Sequence, residues 1–261
     1  MPIFEQRVGG LAEFVERVEA IVTEWTPAGA EWYLQPWFRG HADTRWKLEP
    51  TLFRTRGVQG IGAEHYSEAE LLELFKRRAR RYLDHVPGDD WEWLFEMQHH
   101  GLPTRLLDWT ESYLVALYFA VRDARGDADA CVWIANPWWL GQQALGDFAL
   151  PAAGEASVER WRPGGDPRQR PAPAVAILPV HSNARIQAQR GVFTIHGSAR
   201  NSLDELAESS GKKGCLRRLV IDRSDVVDVR LQLSRAGITE SLIFPELPGL
   251  CRELRGFFFG E

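Results

Sequence analysis

Gln98-His99-His100-Gly101-Leu102-Pro103-Thr104-Arg105-Leu106-Leu107-Asp108-Trp109-Thr110 is the stretch on which the reading of this chain turns. It packs polar and ionisable side chains between two helical patterns, where sites are commonly built. Upstream, Asp89 or Asp90 can cap a helix running from Trp91 to Gln98. Downstream, residues 110–122 carry Leu114, Val115, Leu117, Tyr118, Phe119 and Val121 around most of a helical circumference, which predicts a central, buried helix. Asp108 is its natural N-cap, with Glu111 three residues on. His99 and His100 are adjacent and so point to different sides of a helix or strand, which argues against a shared metal; no metal site is expected.

Working outward, Leu11, Phe14, Val15, Val18, Ile21, Val22 and Trp25 recur at helical steps, and Pro27 and Gly29 are expected to end that helix. Trp32 to Phe38 reads as a strand that Pro36 confines to an edge or a bulge. A second amphipathic helix is expected from Ser67 to Leu83. Its run Lys76-Arg77-Arg78-Ala79-Arg80-Arg81 either meets phosphates or is a solvated face. Ala130 to Ala135 reads as a buried strand, and Gly154 to Pro173 as an exposed loop. Strands resume at Val175, Val192 and Cys215 to Ile221. Asp225 to Arg235 is a helix capped by Ser224 and stopped by Gly237, and Ser241 to Phe244 a short strand. Helices mixed with scattered strands favour an α+β fold.

Composition narrows the function classes. The chain has 261 residues, 44% of them apolar and 26% charged, as expected of a compact protein with a sizeable core. Its net charge of -5, from 31 basic and 36 acidic side chains, argues against a general phosphate-backbone binder. The longest apolar run, Tyr113 to Val121, is too short for a membrane span, and a cytoplasmic protein without membrane contact is expected. Cys131, Cys215 and Cys251 are too few and too widely spaced for a disulfide framework or a zinc pattern. Eleven tryptophans suggest a broad core or stacking surfaces. There is no P-loop, G-x-G-x-x-G, G-x-S-x-G or H-E-x-x-H motif.

Phe38-Arg39-Gly40 together with the thirteen-residue stretch resembles the FRG domain family, which is named for that tripeptide. The likeness runs from about Trp37 to Leu254. It takes in Leu48-Glu49-Pro50-Thr51-Leu52 with Arg54, Ala116-Leu117-Tyr118-Phe119-Ala120, Gln189-Arg190-Gly191-Val192-Phe193-Thr194 and Leu242-Ile243-Phe244-Pro245. It implies one FRG-type domain over residues 1–261, with residues 1–30 as an accessory N-terminal helix and residues 154–173 as an exposed loop.

The order of motifs also resembles ADP-ribosyltransferases that use an Arg, a Ser or Thr, and a Glu in succession. That resemblance implies a split mixed or antiparallel sheet with flanking helices and an NAD-consuming enzyme, with a toxin or defence effector as one candidate role. Arg39, Thr110 and Glu240 are then the implied catalytic residues, and Arg39, His100, Arg105, Asp108 and Thr110 the implied NAD contacts, with NAD as substrate and no metal. Breaking the bond from nicotinamide to ribose passes through an oxocarbenium-like state, which calls for a cation on the pyrophosphate and a carboxylate near the ribose. The acceptor would be nucleic acid, protein, a small molecule or water. A single acid before the last strand argues against protein arginine.

Two other readings stand beside this one. The chain could bind or cleave nucleic acid, with Arg54, Lys76, Arg77, Arg80 and Arg81 on phosphates, tryptophans on bases and the paired histidines as acid and base. It could also be a sensor or adaptor that binds NAD without turnover. Each residue has a structural alternative as well: Arg39 as partner of Asp108, Arg105 paired with an acid, Thr110 as a helix cap and Glu240 on the surface.

Overall fold

The computed structural model describes residues 3–26, 35–54, 68–83, 85–124, 127–179, 184–210 and 215–260. The expected features at Pro27, Gly29 and Ser67 lie outside these residues, and the strand expected from Trp32 to Phe38 is seen only from Trp37, after Pro36, inside the sheet and not at its edge. The chain opens with β1 (Phe4–Val8), α1 (Leu11–Trp25), β2 (Trp37–His41), α2 (Thr51–Arg54), α3 (Glu68–Ala79) and α4 (Asp90–His99). The middle holds β3 (Leu106–Thr110), α5 (Tyr113–Arg122), β4 (Ala130–Ala135), α6 (Pro137–Leu145), β5 (Val175–Ile177), α7 (Ala184–Ala188) and β6 (Gly191–Ile195). It closes with α8 (Leu203–Ser209), β7 (Leu216–Ile221), α9 (Val226–Arg235), α10 (Glu240–Ile243) and α11 (Leu247–Phe259). The fold is α+β, as the sequence predicts.

One seven-stranded sheet runs in the order β1-β7-β4-β2-β3-β6-β5. Only β1 and β7 are parallel; every other pair is antiparallel. Alternation along β2 and β4 sends Phe38, Val132 and Ile134 into one apolar cluster and Trp37, Cys131 and Trp133 into another. The first cluster holds α1, α5 and α9. Phe14, Val18 and Ile21 of α1 are buried there, so α1 belongs to the main core. Each such side chain contributes about 1.5–3 kcal/mol by burial.

Several expectations change in detail. Asp108 does not cap α5: Asp108-Trp109-Thr110 is strand, and Ser112 Oγ accepts from Val115 N at the helix start. The alternation that buries Leu107 and Trp109 outweighs the capping signal. Glu240 to Ile243 is a helical turn and not a strand, because Ile243 N and Phe244 N donate back to Thr239 O and Glu240 O. Ser224 does not cap α9; Asp225 occupies that position. The Gly154 to Pro173 loop is only partly exposed, because a 3-10 turn at Ala156–Trp161 buries Val158 and Trp161 against α4. Asp89 caps α4, accepting from Glu92 N at 2.9 Å. Among the described residues no helix is long and apolar enough to cross a membrane.

Candidate functional site

The sheet opens where β2 meets β3. β2 pairs with β4 over five residues and β3 with β6 over five, yet β2 and β3 share only Phe38 opposite Thr110. Beyond that point the strands part, and a cavity of about 290 Å³ lies in the gap, near the lower end of ordinary ligand pockets. Arg39, Thr110, Asp108, Gln98, Arg185 and Gln189 supply its polar lining, and Trp46, Trp109, Phe119 and Phe38 its rings. A smaller recess of about 60 Å³ shares Gln98, Asp108, Arg185 and Gln189 with it and adds His99.

The tripeptide divides its work three ways. Phe38 is 1% exposed and belongs to the core. Gly40 lies against the α5 backbone, where a Cβ would stand 2.0 Å from Ala116 O and 2.5 Å from Ala120 N, so no larger residue fits without moving that helix. Arg39, between them, turns into the gap. Its Nη1 donates to the Asp108 carbonyl at 2.5 Å and lies 3.6 Å from the Asp108 carboxylate, bridging the strands where the ladder is missing. Its Nε donates to His41 Nε2 at 3.0 Å.

The thirteen-residue stretch fixes the opposite wall. Gly101, at φ +77°, ends α4 with Gly101 N bonded to Gln98 O and Leu102 N to Met97 O, a left-handed cap that glycine tolerates best. That turn sets Gln98 beside β3. Buried Thr104 donates its hydroxyl to Gln98 Oε1 at 2.6 Å, and Gln98 Nε2 donates to Asp108 Oδ2 at 2.8 Å. A relay of hydrogen bonds thus runs from Thr104 through Gln98 and Asp108 to Arg39 and His41.

Charge in the cleft follows from burial. Burial lowers Arg39 from its ordinary range, Asp108 opposes that, and Arg54 adds to it; an arginine keeps its proton at neutral pH regardless. Arg185 is lowered by burial too, with no carboxylate within 4.0 Å among the described residues; its guanidinium lies 4.7 Å above the Phe244 ring. His99 is lowered first by burial and then by Arg185, so it is neutral at pH 7. His41 is held neutral by burial and by Arg39 beside it.

The six residues expected from sequence separate here. Arg39, Asp108 and Thr110 line the cavity; His100, Arg105 and Glu240 do not. Thr110 Oγ1 donates to Gln189 O at 2.6 Å and accepts from Ser112 N at 3.0 Å, so its hydroxyl is engaged. His100 is exposed at the end of α4, 3.5 Å from Glu96. Arg105 is sealed in the interior, pairing with Glu68 at 2.7 Å. The Glu240 carboxylate is held by the Tyr118 hydroxyl, by Arg122 at 3.3 Å and by Arg252 at 2.6 Å. Gln98, Arg185, Gln189, His41, Trp46 and His99 complete the site. Of these, Arg185 had a readable signal: no acid stands within four residues of it on either side.

Residues 35–129 match the family model described as the FRG domain. The chain carries an FRG domain. The match covers the tripeptide, the thirteen-residue stretch and α5, which together build the split and most of the cavity. Gln189 and Phe244 follow the matched FRG segment in sequence but adjoin its cleft, Gln189 in the lining and Phe244 beneath Arg185. No curated protein and no solved structure matches the chain.

Proposed function

We propose that the protein acts on nucleic acid, holding one nucleotidyl unit of a single strand in the FRG cleft and cleaving its backbone. The observation that carries this reading is the joining of two half-buried arginines, a neutral histidine and the exposed ring of Trp46 along one cleft. Arg39 and Arg185 bind a phosphate and hold the charge that builds on it. Trp46, half of its surface exposed, offers a face for a base. His99 takes the proton of a ribose 2′-hydroxyl as that oxygen attacks phosphorus; the bond to the 5′-oxygen breaks, and His100 or water returns a proton to the leaving oxygen. Asp108 and Gln98 keep Arg39 aimed at the cleft.

A second reading keeps the cavity and changes the ligand to NAD, with transfer or hydrolysis of ADP-ribose, or binding without turnover. Arg39 and Thr110 both line the cavity, which favours it. Glu240 opens a helix, lies outside the lining and is already bound by three partners, which weakens it.

The test follows labelled single-stranded RNA and labelled NAD with the same preparation. RNA cleavage that falls about 100-fold or more in Arg39→Ala and His99→Ala supports the first reading. Its acid limb should lie below pH 6.5, since burial lowers His99. Nicotinamide release that is lost in Glu240→Gln supports the second, and NAD binding without release supports a sensor. Intact RNA and no RNA affinity at low salt would sink the nucleic-acid reading.

A further inference from the structure

The helix α11 is docked with its faces reversed. Gly249 is its only buried residue, and a Cβ there would stand 2.0 Å from Phe244 O, so the helix packs on the body through a glycine. Arg252 and Glu253, polar residues on the same side, are fastened inward: Arg252 Nε donates to Glu240 Oε1 at 2.6 Å, and Glu253 Oε2 accepts from Ser241 N at 2.7 Å. The opposite side carries Leu247, Leu250, Leu254, Phe257 and Phe258 at helical spacing, from 43% to 82% exposed. Phe259 at the end of α11 and Leu242 in α10 are exposed as well.

We propose that this face is covered by a second copy of the chain, the two α11 helices packing against one another across a two-fold axis. Area favours that occupant. With up to about 150–250 Å² for each aromatic ring, the patch presents on the order of 800 Å² per copy, which is one side of a standard specific interface and more than a typical monomer leaves bare. A two-fold interface needs a surface complementary to itself, which a continuous stripe of leucine and phenylalanine provides. A lipid surface suits it less: membrane-lying helices turn basic side chains to the headgroups, whereas α11 holds just Arg252 and Arg255, Arg252 is spent on Glu240, and the chain is acidic overall.

Sedimentation velocity over a range of concentrations tests the proposal, with Leu254→Glu and Phe257→Glu alongside. Both substitutions are at exposed positions, and circular dichroism checks that each variant is folded. A monomer–dimer equilibrium weakened about tenfold or more by either variant is expected. Cys251, exposed on the same face, should react with a maleimide more slowly as wild-type concentration rises, and at constant rate in Leu254→Glu. A wild type that stays monomeric at every concentration, or a dimer untouched by both variants, overturns the proposal. So does a monomer that sediments with neutral phosphatidylcholine vesicles, which would make the face a lipid contact.

Discussion

Arg39 and Arg105 both belong to the motifs that mark this chain, and the structure gives them opposite fates. Arg105 is 1% exposed: its Nε meets Glu68, its Nη1 the His196 carbonyl at 2.5 Å and its Nη2 the Trp161 carbonyl at 2.9 Å. Its guanidinium is satisfied on every nitrogen, and its backbone N also donates to Glu68. Arg39 retains Nη2, which has no bonded partner among the described residues, and borders an open cavity. A motif arginine bonded at every nitrogen holds the fold, and one that keeps a nitrogen toward a cavity is available to a ligand.

The sharpest way to break that distinction is to remove each in turn. Arg105→Leu removes the close partner of buried Glu68, leaving Arg170 at 3.7 Å, and strips two carbonyls, so a stability loss of about 3 kcal/mol is expected in chemical denaturation. Arg39→Leu should cost no more than about 1 kcal/mol while abolishing function, since its partner Asp108 keeps contact with water. Equal losses would mean that Arg39 is as structural as Arg105.

His196 sharpens the sealed side of the comparison. Burial, with Arg105 beside it, lowers its imidazole to about 3. The unfolded chain, with histidine near 6.5, therefore takes up a proton that the native state refuses, and stability falls as pH drops below 6.5 toward 3. Between pH 7 and pH 4.5 this contributes roughly 2–3 kcal/mol of destabilisation. His196→Gln should flatten that part of the profile, with urea midpoints at several pH values as the readout.

The same contrast explains what was legible in the sequence. Helical periodicity located α1, α3, α4 and α5, and a continuous apolar run located β4, because core burial writes a regular pattern. Asp108 reads as a cap in the sequence because a capping signal is local, while strand pairing with β6 is set by residues more than eighty positions away. Arg105 and Arg39 could not be told apart, because Glu68, Trp161 and His196 reach Arg105 only through the fold. Arg185 lies in the short α7, which carries no helical periodicity to mark it, and the absence of nearby acids is its one local signal.

Asp108 gives the smallest effect and the finest test of the open side. Its side chain is 54% exposed, yet its carboxylate holds Gln98 and faces Arg39. Asp108→Asn keeps the size and the backbone carbonyl that accepts from Arg39, so stability should change by less than about 1 kcal/mol. The amide can still accept from Gln98 through its oxygen, but it no longer offsets the guanidinium, so Arg39 turns more freely toward an anion. Weaker turnover with phosphate affinity preserved or raised would place Asp108 as the residue that aims Arg39. An affinity loss as large as that of Arg39→Leu would mean that the carboxylate itself contacts the ligand.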